Sequence, residues 1–198
     1  VYCECLGKES EYGKKAAEKK AENTDSLLKE YADKDNFKKA VEVYEKAQEM
    51  CKESSEKENE ALKPAAAYAY GLKGDKEKAE KLFEESRKYI EENYGSDSIE
   101  YAGYLKYVGK YAMKFTSFEK GEELLFKAME ILYSQEGENN KWQTEISLFM
   151  GESCIEKNKY KKAEGYFKTA AAFAEGAEYS RSLTGLAKCF LKDGKLDE

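Results

Sequence analysis

The chain of 198 residues has no histidine, one proline and only two arginines. Without histidine there is no Ser-His catalytic triad, no His-ligated zinc site and no imidazole acid–base step. No apolar run reaches the roughly 18 residues of a membrane-spanning helix, so none is predicted. Because arginine is scarce and the net charge is −6, the sequence also predicts no nucleic-acid partner.

Glutamate and lysine dominate the composition, and charged residues make up 37% of the chain against 41% hydrophobic ones. Such a chain buries a core only if its apolar residues recur with the period of a helix or a strand. The excess of Glu and Lys over Gln is typical of proteins from hot environments. An AT-rich genome also favours lysine codons over arginine codons, so both explanations stay open.

The five cysteines do not form a disulfide framework or a Cys-x-x-Cys site. Cys154 and Cys189 fall in apolar helical stretches and are predicted to be buried thiols. The start at Val with Cys3 and Cys5 close behind it favours a processed protein exported from a prokaryotic cell. Scattered single cysteines favour the cytoplasm instead, so the location and the redox state of Cys3, Cys5 and Cys51 stay open.

One pattern recurs four times: an aromatic residue, a small residue three positions later, a large residue after four more and a small residue after three more. The copies are Phe37-Ala40-Tyr44-Ala47, Lys76-Ala79-Phe83-Ser86, Phe118-Gly121-Leu125-Ala128 and Tyr160-Ala163-Phe167-Ala170. The second copy matches less well, because its first residue is Lys76 and its last is Ser86. Successive copies are offset by 39, 42 and 42 residues. The spacing places all four residues on one face of a helix, with small side chains where a second helix approaches.

A second apolar helical segment precedes each copy, and a short polar turn joins the two. The turns include Lys73-Gly-Asp75, Thr116-Ser117 and Lys157-Asn158, whose Gly, Asp, Asn and Ser residues end one helix and cap the next. No segment alternates as a strand does, and β-branched residues are scarce. The sequence therefore predicts an all-α fold of helical hairpins.

These residues resemble the tetratricopeptide repeat (TPR), and the period of 42 is similar to that of kinesin-light-chain-type repeats. Residue Leu28 stands where the family has a small residue, and the family's early tryptophan and final proline are missing. The resemblance implies a right-handed α-solenoid, or superhelix, of four complete repeats and a final helix A over residues 23–198. Residues 1–22 are predicted to be an N-terminal segment with a capping helix.

The resemblance also implies a non-enzymatic scaffold that binds a protein or peptide, because helix A of each TPR lines a concave groove. By register, the predicted partner-binding residues are Tyr68, Lys106, Tyr107, Lys110, Phe149, Glu152, Arg181 and Lys188. Large aromatic anchors edged by lysine suit an extended or helical peptide of some acidic character. The alternative is that Tyr68, Tyr107 and Phe149 pack helix against helix, and both interpretations stay open. Co-chaperone TPR domains bind a partner's C-terminal carboxylate with a set of residues called the carboxylate clamp, and this sequence does not match that set.

No catalytic residue, metal ligand or cofactor site is predicted. Phosphate-binding glycine loops are missing, and Asp33-x-Asp35 lacks the glycine and the terminal glutamate of a calcium loop. Most glutamates stand beside lysines at helical spacing, which is typical of an exposed helix face.

The end of the repeat pattern suggests an alternative function. A final helix A leaves Leu183, Leu186 and Phe190 partly uncovered, and repeat arrays normally have polar terminal faces. A homo-oligomer formed end to end through this strip, growing into filaments, is therefore the alternative to a peptide-binding scaffold.

Overall fold

The computed structural model describes residues 28, 30–32, 36–50, 56–136 and 141–193. It contains eight helices: α1 (Phe37–Met50), α2 (Glu56–Lys73), α3 (Lys76–Asn93), α4 (Ile99–Phe115), α5 (Phe118–Glu136), α6 (Lys141–Glu156), α7 (Tyr160–Phe173) and α8 (Gly176–Asp193). Residues 28 and 30–32 are also helical, and the described part of the chain contains no strand. The predicted capping segment 1–22, Cys3, Cys5, Cys51 and Asp33-x-Asp35 lie outside the described residues.

The chain forms two compact units, Val1–Asn93 and Tyr94–Glu198. In the first unit, α2 packs against both α1 and α3. In the second unit, α4 pairs with α5 and α6 pairs with α7, while α8 packs against α7 and α6. Each unit is thus a stack of helices packed against their neighbours in the chain, and the predicted all-α solenoid of TPR-like hairpins is confirmed.

The helices begin and end at the polar turns that the sequence predicts. The Ser98 hydroxyl accepts a hydrogen bond from the Tyr101 backbone N–H at 3.1 Å and caps the start of α4. Asp75 caps α3 in the same way. At the ends of α2 and α6, Gly74 and Asn158 have left-handed φ values of 96° and 56°, which turn the chain into the next helix.

The four-residue stripe of the second helix in each hairpin is the centre of the core. Among its described small residues, Ala40, Ala79, Ala128, Ala163 and Ala170 are fully buried. Helices α4 and α5 cross where two glycines meet, because a Cβ on Gly121 would lie 2.6 Å from the carbonyl oxygen of Gly109. The small residues therefore set the distance between paired helices.

None of the helices in the described ranges is both long and apolar enough to cross a membrane.

Candidate functional site

Two lysines on α4 converge on one glutamate of α6 in the second unit. Lys106 and Lys110 are four residues apart, so both side chains lie on the same face of α4. The Lys110 Nζ lies 3.0 Å and the Lys106 Nζ 3.3 Å from carboxylate oxygens of Glu145. Both lysines are only 2% exposed and the Glu145 side chain is 21% exposed, so these ion pairs are largely shielded from water and hold α4 against α6.

Aromatic rings surround the two ammonium groups. The Lys106 Nζ lies 4.6 Å from the centre of the Tyr107 ring and 5.1 Å from that of Trp142. The Lys110 Nζ lies 5.2 Å from the centre of the Phe149 ring. The faces of these rings carry partial negative charge, so they stabilise the cations where water is excluded.

Sequence reasoning missed Glu145 and Trp142 as parts of this cluster. They precede Phe149 by four and seven residues on α6, and this spacing places all three on one face of the helix. That spacing, together with the single tryptophan of the chain, was the available signal.

A more accessible group of predicted site residues lies on α6 and α8. Arg181 donates a hydrogen bond to Glu152 at 2.8 Å, and both side chains are about half exposed. Lys188 is exposed two turns after Arg181 on α8, and Phe149 is half-buried one turn before Glu152 on α6. The Arg181–Glu152 pair is thus accessible one helical turn from a half-buried aromatic ring, and Lys188 adds an exposed cation two turns further along α8.

The structure brings six of the eight predicted residues into two groups. Cation–ring contacts join Lys106, Tyr107, Lys110 and Phe149, and an ion pair joins Glu152 and Arg181. Lys188 lies on α8 with Arg181, whereas Tyr68 belongs to the first unit. Tyr68 and Tyr107 are 0% and 2% exposed, which corresponds to the alternative in which tyrosines pack helix against helix. The partner-binding role of the eight residues stays a prediction.

A second polar cluster joins α5 to α7. Glu122 is largely buried and accepts hydrogen bonds from the Tyr166 hydroxyl at 2.6 Å and from the Lys162 Nζ at 2.7 Å. Burial and this carboxylate raise the pKa of the Tyr166 phenol, while the hydrogen bond to Glu122 raises the pKa of Lys162. The Tyr166 phenol and the Lys162 ammonium therefore stay protonated, and their hydrogen bonds to Glu122 hold α5 and α7 together.

Cys154 lies close to this cluster and is 0% exposed. Burial, aided by the charge of Glu122, raises the pKa of its thiol to about 11. A thiol that stays protonated at neutral pH is a poor nucleophile and a poor metal ligand. In the described ranges, no three His, Cys, Asp or Glu side chains are grouped closely enough to hold a metal ion.

No protein-family model matches the chain, and no curated protein sequence matches it. Solved structures do match. The chain is similar to BtubC (BKLC) from P. vanneervenii, with a TM-score of 0.65 and 18% identity over 88% of this chain and 73% of that one.

It is also similar to a putative kinesin light chain from Podospora anserina with nearly identical TPR-like repeats. The TM-score is 0.59 and the identity 14%, over 89% of this chain and 88% of that one. Because both likenesses agree with the helical hairpins of the structure, the predicted resemblance is confirmed, and the chain has the fold of a TPR-like repeat protein.

Proposed function

We propose that the chain is a non-enzymatic scaffold that binds a peptide segment of a partner protein on the face shared by α6 and α8. The observation that carries this proposal is the half-exposed ion pair of Arg181 and Glu152, one helical turn from the half-buried ring of Phe149 on α6. A polar rim around an apolar centre is the usual arrangement of a protein-binding surface.

The buried members of the predicted site act as the floor of this surface. Lys106 and Lys110 fix α4 to α6 through Glu145, and Tyr107 fills the space around the ammonium groups. Their role is to hold Phe149 in place rather than to touch the peptide. Tyr68 has a corresponding supporting role inside the first unit, where its side chain is fully buried.

The charges favour a peptide with an acidic residue near an apolar one. A peptide carboxylate would compete with Glu152 for the guanidinium of Arg181. Guanidinium groups in general can form bidentate pairs with carboxylates. An apolar peptide residue would cover the exposed part of the Phe149 ring. Exposed ion pairs contribute little to stability, so the displacement of Glu152 costs about 1 kcal/mol or less.

The test is selection of peptides from a display library on the full chain, with affinities then measured for the wild type and two variants. The site variant combines Arg181→Glu with Lys188→Glu, and the matched control combines Lys120→Glu with Lys161→Glu on α5 and α7. We expect acidic peptides that bind the site variant at least about ten-fold more weakly and the control normally. Selected peptides that bind the site variant and the wild type equally would refute the assignment.

A further inference from the structure

The outer surface of the second unit carries a row of aromatic side chains along α5 and α7. On α5, Phe126 and Tyr133 are 49% and 57% exposed and lie two helical turns apart. On α7, Phe173 is 41% exposed and lies two turns after the half-buried Tyr166. Monomeric proteins rarely leave a group of large apolar side chains in water unless the group is a binding surface.

The four rings line a groove between α5 and α7, which we call the outer groove. The two helices run in the same direction, because three side-chain contacts all join residues that are 40 positions apart. These contacts are Glu119 with Lys159, Glu122 with Lys162, and Phe126 with Tyr166. Tyr133 and Phe173 have the same separation, so they stand level with each other on the two sides of the groove.

The two sides of the outer groove carry opposite charges on their solvent faces. On α5, the exposed Glu123 and Glu130 point away from the Gly121-Leu125-Ala128 stripe that packs on α4. On α7, the exposed Lys161 and Lys168 lie one turn before and one turn after Gly165, where no atom lies near the position of a Cβ. The groove therefore has an acidic edge along α5 and a basic edge along α7.

We propose that the outer groove is a self-association site, at which a second copy of the chain packs its own outer groove. A two-fold axis parallel to the helices would lay α5 of one copy on α7 of the other, so each acidic edge would meet a basic edge. A two-fold axis across the helices would lay α5 on α5 and bring like charges together. The charges therefore favour a second copy in the first of these two orientations.

The register of the two helices suits this pairing of charges. With the offset of 40 residues, Glu123 and Glu130 of α5 are level with residues 163 and 170 of α7. Rotation about an axis parallel to the helices keeps these levels. Each glutamate would therefore stand two residues, or about 3 Å along the axis, from the level of a lysine of the second copy. The pairs would be Glu123 with Lys161 and Glu130 with Lys168.

The aromatic rings supply the apolar part of the contact. The same rotation would place Tyr133 of one copy over Phe173 of the other, and pairs of aromatic rings add to the effect of apolar burial. Lys168 already pairs with Glu164 on α7, but the Lys168 side chain is 60% exposed. Exposed ion pairs contribute little to stability, so Lys168 loses little when it pairs with Glu130 of the second copy instead.

Sedimentation velocity of the full chain, with a reducing agent to prevent disulfides between copies, tests the proposal. We expect a reversible dimer whose fraction rises with concentration up to about 1 mM, the range of weak protein contacts. Tyr133→Asp should raise the dissociation constant at least about ten-fold, because a carboxylate would be buried against the Phe173 ring. Phe173→Asp repeats the test if the first variant loses the wild-type circular dichroism.

Exchange of single charges tests the orientation of the second copy. Lys168→Glu and Glu130→Lys each place like charges opposite one another, so each variant should dimerise at least about ten-fold more weakly than the wild type. An equal mixture of the two variants should regain the wild-type affinity, because each glutamate would again face a lysine. The matched controls are Lys76→Glu and Glu80→Lys on α3, which should dimerise as the wild type does.

The remaining outcomes separate this site from the others. A chain that stays monomeric over this range, or a dimer equally stable in the wild type and Tyr133→Asp, would overturn the proposal. A mixture of the two charge variants that associates no better than either alone would also overturn it. A dimer lost with Leu183→Asp but kept with Tyr133→Asp would assign self-association to α8 instead. Because the outer groove does not include the proposed peptide surface, the Arg181→Glu and Lys188→Glu variant should dimerise normally.

Discussion

At the scale of single residues, glycine sets how closely paired helices approach in the second unit. Gly109 and Gly121 meet at the crossing of α4 and α5, whereas Gly165 lies on the exposed side of α7 with no atom near the position of a Cβ. The same residue type therefore has opposite effects at these positions. At the crossing, glycine allows the backbones of the two helices to touch. On the surface, glycine only lowers the stability of the helix.

Replacement of Gly121 by alanine is expected to destabilise the protein by about 1–3 kcal/mol, because the new methyl group would press against the backbone of α4. Gly165→Ala is the matched control, and it should stabilise by about 0.5–1 kcal/mol through helix propensity alone. Urea denaturation followed by circular dichroism measures both. A Gly121→Ala protein as stable as the wild type would show that α4 and α5 do not meet at this crossing.

At the scale of helices, two glutamates on α6 form ion pairs in different environments. Glu145 pairs with two lysines that are almost fully buried, whereas Glu152 pairs with Arg181 in contact with solvent. The carboxylates are two turns apart on the same helix, so they form a natural comparison. Loss of the first removes the carboxylate from two buried ammonium groups, while loss of the second leaves only a solvated guanidinium.

We therefore expect Glu145→Ala to lower the free energy of unfolding by about 3 kcal/mol, as the removal of one partner from a buried pair does. Glu152→Ala should change it by less than about 1 kcal/mol. Thermal and urea unfolding of the two variants under the same conditions provide the comparison. Equal effects would mean that Lys106 and Lys110 are solvated in solution and that α4 and α6 are not joined at this point.

At the scale of the whole molecule, the chain divides into two compact units, and the second contains two hairpins and α8 with a core of its own. Residues such as Leu125, Ile146 and Phe167 are buried within it. Because repeat proteins are stabilised by contacts between neighbouring helices, a group of hairpins with such a core is able to fold alone.

A fragment of residues 94–198 is accordingly expected to fold by itself, with more than half of its residues helical. It should unfold cooperatively, and Gly121→Ala should destabilise the fragment as it destabilises the full chain. Circular dichroism and amide exchange by NMR are the measurements. A fragment without cooperative unfolding would show that the second unit depends on the first.

The sequence by itself determined the helices, their pairing and their turns. The small–large–small stripe repeats at helical spacing, and residues such as Ser98, Asp75 and Gly74 act on the chain directly beside them. These signals are local, so they can be read without knowledge of the fold. The TPR-like hairpins were predicted from these local signals.

Only the tertiary structure decided which side chains are accessible and which charges meet. The sequence predicts that Lys106 and Lys110 are charges at the edge of a groove. In the structure both lysines are buried and pair with Glu145, which follows them by 39 and 35 residues. Tyr179 and Leu183 are exposed because the face of α8 that they share has no covering helix among the described residues, although the same positions are buried in α4 and α6. Burial and ion pairing depend on the stacking of helices distant in the chain, and no local spacing encodes that stacking.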